Sequence, residues 1–382
     1  MMDKVRYGII GIGKMGSIHA YKLKKGLIKN ATITAVCDIE PKRRDWAEKN
    51  LKDVKIFEDY KELLKSGLID AVVIAVPHYL HPVIAIESIG AGIHTLIEKP
   101  AGVYTKQVRE MNEFAAKHPE VVFGIMYNQR TDKLYRKAKE IIDSGEMGHI
   151  KRVNWIITNW YRPQAYYDQG GWRGTWVGEG GGVLINQCPH QIDLIQWLAG
   201  LPVKVRAYAK VGVGRNINVE NDVTAYFEYE GGGSGVFITS THDFPGTNRL
   251  EISGDGGRIV IDKNKLTFEK LSVTESEFSK TNTKFMPRIP LKKIKLKTSL
   301  IGQLKGFIIG QHTAIMKNFA AAILNGTPLI APGLDGIKGL SLSNAIHLSS
   351  WTNSEIVMPP DEELFIKELD KRIEEEKKSS KK

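Results

Sequence analysis

The run Val5-Arg-Tyr-Gly-Ile-Ile10 leads directly into Gly11-Ile-Gly13-Lys-Met-Gly16, and Ser17–Leu27 then takes up helical spacing. An apolar strand, a glycine turn with the spacing G-x-G-x-x-G and a helix constrain the fold more than any other stretch. The first glycine makes the tight turn, the second lets a pyrophosphate approach the backbone, and the third lets helix and strand pack closely. Free N–H groups at the helix start, around Lys14 and Met15, favour phosphate charge. The second strand ends in Thr34-Ala-Val-Cys-Asp38, about 20 residues past the motif, where an acid accepts hydrogen bonds from ribose hydroxyls. A mere glycine turn with a surface aspartate is the plainer alternative, but strand, glycines and acid are all in register. The expected cofactor is a nicotinamide dinucleotide. Asp38 repels a 2′-phosphate and so favours NAD, while Arg43 and Arg44 just downstream leave NADP possible.

The same pattern continues. Thr32–Val36, Val54–Phe57, Ala71–Ala75, Thr95–Ile97 and Val121–Ile125 read as further strands, with helical segments near Lys42–Lys49, Tyr60–Lys65, His81–Ala91 and Lys106–His118. The strands are unbroken apolar runs, as in parallel sheets covered on both faces, and their alternation with helices predicts a doubly wound α/β domain. After about Asn128 the pattern changes. Val153–Trp160, Val205–Val211, Val223–Tyr229, Val236–Thr241, Leu250–Ser253, Arg258–Ile261 and Leu266–Phe268 alternate apolar with polar, with turns such as GGGSG and GDGG between several of them. That is the grammar of an antiparallel sheet with one covered face. Helices return near Thr313–Leu324, Gly333–Ser350 and Glu362–Glu376. The 382 residues thus divide into a dinucleotide-binding domain over 1–127 and an α+β domain over 128–382, helical from about 310.

Composition narrows the function classes. Hydrophobic and charged fractions of 42% and 25% are those of an ordinary globular chain. A net charge of +11 invites nucleic acid, yet the lysines cluster in Leu291–Lys297 and in the tail from Lys377, which read as solvated, partly mobile stretches. No zinc-finger spacing or aromatic RNA-binding motif accompanies them, so neither nucleic acid nor membrane is expected as a partner. No apolar run approaches the roughly 20 residues of a membrane span, and the polar start MMDKVRYG is unlike a signal peptide. Cys37 and Cys188 are the two cysteines, in no metal-ligand spacing. A reducing cytoplasm suits them, and no metal site is expected.

The carboxyl ends of parallel strands are where such sheets bind ligands. There the fourth strand gives Ala75-Val-Pro77-His78-Tyr-Leu-His81 and the fifth Leu96-Ile-Glu98-Lys99-Pro100. With these motifs the chain resembles the Gfo/Idh/MocA family, named for glucose–fructose oxidoreductase and inositol 2-dehydrogenase. The likeness spans nearly the whole chain. It takes in Gly11–Gly16, Pro77…His81, Glu98-Lys99-Pro100, the turn Ser144–Gly148, Trp172-Arg173, Gly180–Val183, His190…Asp193 and His312–Pro328. It implies an N-terminal Rossmann domain, a C-terminal α+β domain with a large, mostly antiparallel open sheet, and an NAD(P)-dependent sugar or cyclitol dehydrogenase (EC 1.1.1.-).

In that family an Asp stands four residues before a His, with the Glu-Lys-Pro lysine nearby. Lys99 matches the lysine and His190 the histidine, but Asn186 occupies the Asp position. Asparagine donates and accepts hydrogen bonds but takes no proton at neutral pH. Asn186 and His190 share a face if the segment is helical, although Pro189 makes a turn opening a helix equally consistent. The resemblance implies that His190 takes a hydroxyl proton while Lys99 stabilises alkoxide-like charge, Asn186 positioning substrate or nicotinamide ribose. A snorkelling surface lysine and a helix-capping histidine are the bland alternatives. The resemblance also places Pro77, His78, His81, Glu98, Lys99 and Asn128 at the cofactor, with Arg130 bordering it. His81, which opens a helix, is alternatively a cap. Asp193 is either a substrate contact or a helix-dipole charge, and Cys188 a packing residue.

Substrate-side candidates come from Trp160-Tyr161-Arg162 and from the loop of Tyr166 through Trp172 and Arg173, whose rings and donors suit sugars; the alternative is that they pack between sheet and loop. His312 resembles a late histidine near substrate in related sequences. Two further functions stay open: a redox-neutral cleaving or eliminating enzyme that uses tightly bound NAD transiently, and a non-catalytic NAD-binding sensor or assembly protein. Relatives commonly associate through the second-domain sheet, so a homodimer or homotetramer is expected. The alternating Val223, Ala225, Phe227 and Tyr229 are either buried in that contact or covered by the domain's own helices.

Overall fold

The computed structural model describes residues 3–298 and 310–379. They form two compact units: 3–131 with 310–340, and 132–298 with 341–379.

The first unit is built on β1 (Val5–Ile10), β2 (Ala31–Cys37), β3 (Lys55–Phe57), β4 (Ala71–Ile74), β5 (His94–Ile97) and β6 (Phe123–Ile125), all parallel in the order β3-β2-β1-β4-β5-β6. This is the Rossmann order. The unbroken apolar runs are covered on both faces, and all four residues of β4 are buried. Between the strands run α1 (Lys14–Lys24), α2 (Pro41–Asn50), α3 (Tyr60–Lys65), α4 (His81–Gly90) and α5 (Thr105–Ala116). Their boundaries follow local chemistry. Asp59 caps α3 through the Lys61 amide, Pro41 opens α2, and α5 turns Val108, Met111 and Ala115 inward at helical spacing.

The second unit begins with α6 (Lys133–Asp143), capped by Asp132 through the Leu134 amide. Nine strands make its sheet: β7 (Ile150–Ile157), β8 (Lys204–Val211), β9 (Glu220–Glu228), β10 (Ser234–Ser240), β11 (Asn248–Gly254), β12 (Gly257–Asp262), β13 (Lys265–Leu271), β14 (Leu291–Lys297) and β15 (Ile356–Val357). Their order is β14-β13-β12-β11-β7-β10-β9-β8-β15, antiparallel except for β7 with β10. Inward positions alternate along each strand, so Trp155, Phe227, Phe237, Ile252, Ile259 and Phe268 form one continuous apolar layer. The helices of the chain continue with α7 (Gln164–Asp168), α8 (Pro189–Ala199), α9 (Glu275–Thr281), α10 (Gln311–Asn325), α11 (Gly336–Thr352) and α12 (Glu362–Ser379).

Two expectations change, and one open alternative is decided. Leu291–Lys297 is solvent-exposed as its lysines suggest, but it is ordered as the edge strand β14, in full register with β13, and Lys293 lies 2.8 Å from Glu269. Lysines along an edge discourage pairing with another chain, which explains the composition. The tail lysines Lys377 and Lys378 end α12, and residues 380–382 lie outside the described ones. Val223, Ala225, Phe227 and Tyr229 are only 0–8% exposed, so of the two alternatives for this alternation, cover within the domain itself holds; Tyr208 and Tyr226 are outward positions. Residues 310–340 group with the first unit, a return of the chain that a boundary at 128 leaves out. Phe319 of α10 lies against Gly124 of β6, and the Arg130 guanidinium, 1% exposed, meets Asp335 at 2.7 Å.

Candidate active site

The glycine turn of the first unit has the shape a pyrophosphate needs. Gly11 has φ +87°, and a Cβ there would meet the Ala75 carbonyl oxygen at 2.5 Å. A Cβ on Gly16 would fall 1.8 Å from the Gly11 carbonyl oxygen, whereas one on Gly13 would meet nothing within 4 Å. The two outer glycines are therefore required by the fold, and the middle one leaves an open approach to the backbone. Gly13 caps α1 without any side-chain acceptor, so the helix start around Lys14 and Met15 presents amide donors. At the end of β2, Asp38 accepts from the Ile12 amide at 2.6 Å and from the Glu40 amide at 2.9 Å. That carboxylate is fixed beside the glycine turn, where an adenosine ribose would need it. The residues present fit a nicotinamide dinucleotide.

Beyond β4 and β5 the polar groups interlock. Glu98 is buried, its carboxylate 2.7 Å from the His19 Nε2 and 3.2 Å from the Lys99 amide. Burial pushes this carboxyl up, but the His19 hydrogen bond, with the nearby Lys99 charge, outweighs it and holds it at about 2. Lys99 follows at the carboxyl end of β5, half-buried. His81 places its two ring nitrogens 2.7 Å from the Pro100 carbonyl and 2.8 Å from the Val76 carbonyl. Burial lowers its pKa. It clamps the two strand-end loops together. Glu98 likewise spends its carboxylate inside the protein. Pro77 leads into a short turn holding the buried His78. The Asn128 amide donates to Gln311 at 3.0 Å. His312 lies 5.6 Å from His19, ring to ring, and burial takes it down to about 4, so it is neutral at pH 7. The sequence reading missed His19 altogether. Its one signal is its place three residues after Gly16, on the buried side of α1.

The second unit assembles the other candidates. One turn of π-helix, Val183–Gln187, delivers Asn186 and closes where the Cys188 amide reaches the Val183 carbonyl at 2.9 Å. Pro189 then opens α8, so Asn186 and His190 stand on a turn and on the helix after it, not on one helix. α8 buries nine of its eleven residues, including His190, Gln191, Asp193 and Gln196, which is unusual for polar side chains. Asp193 accepts from Gln196 at 2.9 Å. Cys188 is fully buried, and burial pushes the Cys37 thiol up to about 12; both read as packing residues.

The π-turn hangs from Glu220, also missed in the sequence. Its carboxylate accepts from the Gly182 amide at 2.9 Å and the Leu184 amide at 3.0 Å, and lies 3.1 Å from the His347 Nε2. His347 stacks on Trp351 at 5.0 Å. A second carboxylate, Glu179, accepts from the Asn186 amide and, at 2.8 Å, from the Gly174 amide. Burial raises Glu179 to about 7, with those two hydrogen bonds and Arg173 opposing and Glu220 adding to the rise. An acid thus stands directly behind the asparagine that replaces the family aspartate. The aromatic loop gathers around Tyr166, whose hydroxyl lies 3.4 Å from the Asn186 amide nitrogen. The Arg162 and Arg173 guanidiniums stack 5.0 and 5.2 Å from the Tyr166 ring centre, and Arg173 also lies 4.8 Å from Trp172.

A parallel sheet in Rossmann order, glycines shaped for a pyrophosphate and an acid at the end of β2 define an NAD-binding oxidoreductase. Residues 5–125 match the model of the oxidoreductase family with an NAD-binding Rossmann fold, and 135–260 that of the GFO/IDH/MocA C-terminal domain. The chain belongs to the GFO/IDH/MocA family. A myo-inositol 2-dehydrogenase from Thermotoga maritima is 26% identical over 352 residues, covering 90% of this chain and 96% of its own. The WlbA dehydrogenase from Bordetella pertussis, solved in complex with NADH and UDP-GlcNAcA, is 25% identical; the match covers 94% of this chain and all of that one, with a TM-score of 0.75. A scyllo-inositol dehydrogenase from Lactobacillus casei, 22% identical, shares the fold over 93% of this chain and 99% of its own at a TM-score of 0.71. No helix among the described residues is long and apolar enough to cross a membrane, and no group of His, Cys, Asp and Glu there is arranged to hold a metal ion.

Proposed function

We propose that the chain is an NAD-dependent dehydrogenase acting on a ring carbon that bears a hydroxyl group, in a sugar, a sugar derivative or a cyclitol. The observation that carries this reading is the placement of Lys99, half-buried at the carboxyl end of a parallel strand and directly after a Glu98 fixed by His19. Bound NAD supplies a hydride acceptor at the nicotinamide. The residues of the chain do the rest. The Lys99 ammonium donates to the reacting oxygen and stabilises the negative charge that grows there. A ring nitrogen of His190 takes the hydroxyl proton, for which an imidazole is suited at neutral pH. Asn186 orients the substrate by hydrogen bonding and exchanges no proton.

NAD is favoured over NADP. Asp38 repels a 2′-phosphate, and Arg44 is already committed, donating to the Asp38 and Ile39 carbonyls and pairing with Glu58 at 3.0 Å. The testing experiment is NADH absorbance and product NMR across a panel of sugars and cyclitols, run on the wild type, Lys99→Met and His190→Ala. Turnover should fall about 10²–10³-fold without the lysine and about 10²–10⁴-fold without the histidine. Unchanged turnover in either variant overturns the assignment. Bond cleavage without net NADH points to the redox-neutral alternative.

A further inference from the structure

Arg173 stands out as a half-buried guanidinium in the aromatic loop. Among the described residues its guanidinium makes no ion pair and its side chain no hydrogen bond. It is half-buried and held between the Tyr166 and Trp172 rings, 5.2 and 4.8 Å from their centres. Arg162 stacks on the other partner rings of the same loop cluster, 5.0 Å from Tyr166 and 5.7 Å from Trp160. It donates to the Tyr161 carbonyl at 2.9 Å but also has no carboxylate partner. A third guanidinium, Arg215, is spent on the backbone of Arg162 and of Gly214. The nearby acids are otherwise engaged: Glu179 holds Asn186 and Gly174, and Asp168 accepts from Gln164.

Two half-buried cations lie within 5.2 Å of one ring with no carboxylate among the described residues in contact, Glu179 acting on Arg173 only from a distance, an arrangement less favourable than a contact pair. Stacking on aromatic faces compensates in part and also fixes the planar forks in place. Such a pre-set fork is the side-chain geometry that recognises a carboxylate or phosphate bidentately. Three buried donors of the cluster, the Arg162 Nε, the Arg173 Nε and the Trp160 Nε1, find no acceptor in the described chain, and the Gln187 Oε1 beside them finds no donor. The cluster is therefore short of oxyanion acceptors and, at Gln187, able to take a hydroxyl. It connects with the proposed catalytic turn through the Tyr166 hydroxyl, 3.4 Å from the Asn186 amide nitrogen and 3.5 Å from that of Gln187.

We propose that Arg162, Tyr166 and Arg173 form an oxyanion subsite, and that the substrate is a sugar carrying a carboxylate or phosphate, not a neutral cyclitol. This rests on the dehydrogenase reading above and adds to it the charge of the substrate.

The test is calorimetric binding to the full chain with NAD present. Matched probes separate the two sources of charge: UDP-GlcNAcA against UDP-GlcNAc and glucuronate against glucose for the carboxylate, glucose 6-phosphate against glucose for the phosphate, with myo-inositol as the neutral ring. At least one anionic probe should bind about tenfold or more tighter than its neutral counterpart, and added salt should erode that preference. Arg173→Met and Arg162→Met should each abolish most of the preference. Arg173→Lys keeps the charge without the fork and should retain part of it; its unfolding temperature controls for misfolding. Equal binding of charged and neutral members, a preference that survives both Met variants, or binding of none of the probes overturns the subsite. NADH formation on the same probes is read separately. A charge preference with no NADH from any probe sinks the dehydrogenase reading, while NADH from neutral rings without a charge preference sinks only the subsite.

Discussion

Each unit buries an acid beside an imidazole, Glu98 with His19 and Glu220 with His347, but they differ in what surrounds that pair. In the first, acid and imidazole are matched over short distances: Glu98 lies 2.7 Å from His19, and His81 is wedged between the Val76 and Pro100 carbonyls. Its ligand-binding surface is mainly backbone, shaped by three glycines. In the second, burial raises the Glu179 carboxyl behind Asn186 to about 7, and Arg162 and Arg173 stack on Tyr166 without a carboxylate among the described residues in contact. On the proposed subsite, the second unit would leave part of its electrostatics for the substrate to complete, as expected where that partner sets specificity.

Breaking the first unit should have the largest effect. Gly16→Ala places a Cβ 1.8 Å from the Gly11 carbonyl oxygen, a backbone atom that cannot move aside without opening the turn. The expected loss is at or above the upper end of the roughly 1–3 kcal/mol typical of overpacking. It should show as a marked fall in the thermal unfolding temperature together with lost NAD binding. A variant as stable as wild type would mean that helix and strand are not packed so closely. Next comes Glu220→Gln, which keeps one acceptor for the Gly182 and Leu184 amides but removes the charge facing His347. A cost of about 1–3 kcal/mol is expected in urea unfolding. An indifferent protein would show that the π-turn does not depend on this carboxylate.

Gly13→Ala separates shape from stability. A Cβ there meets nothing within 4 Å, so folding should change by no more than about 0.5 kcal/mol. The methyl would nonetheless occupy the approach to the backbone, and NAD affinity should drop about tenfold, or about 1.4 kcal/mol. Titration of protein fluorescence with NAD measures this, and unchanged affinity would place the pyrophosphate elsewhere.

The same contrast governs what the sequence made legible. The Rossmann half reads almost residue by residue, because parallel strands are continuous apolar runs and the glycines sit in a local turn. The second-unit strands from β7 to β13 are legible from alternation. β14 was hidden by its lysines, since composition there reports an exposed edge and not the absence of a strand. α6 went unread although Leu134, Ala138 and Ile141 stand at helical spacing, because it falls where the pattern changes from one unit to the next. Side-chain pairing is another matter. His19 and Glu98 are 79 residues apart, and Glu220 meets the π-turn across 36 or more. Nothing local marks such partners; only the sheet brings them together. Even Glu179, seven residues before Asn186, sits in a glycine-rich loop whose path no periodicity predicts.

The effect that bears most directly on Asn186 is a pH dependence. Burial raises the Glu179 carboxyl to about 7, above its ordinary 4.5, so the folded protein binds a proton there that the unfolded chain has released. Between those two values the native state is the more protonated, and its stability from this group therefore falls as pH rises. The contribution is complete below about 4.5 and gone above about 7. Glu179→Gln removes the titration but leaves an amide that can still bond Asn186. The difference in unfolding temperature, wild type minus variant, should thus decline from about pH 5 to about pH 8. A flat difference would mean that the carboxyl stays ionised throughout, with the Asn186 and Gly174 donors outweighing its burial. In the folded enzyme the same titration changes what Asn186 meets. An ionised Glu179 accepts from the amide NH2 and leaves the Asn186 carbonyl turned to its other side, whereas a protonated one can donate to that carbonyl. If Asn186 faces the substrate, the kcat/KM profile of the wild type should bend near neutral pH and that of Glu179→Gln should lose the bend.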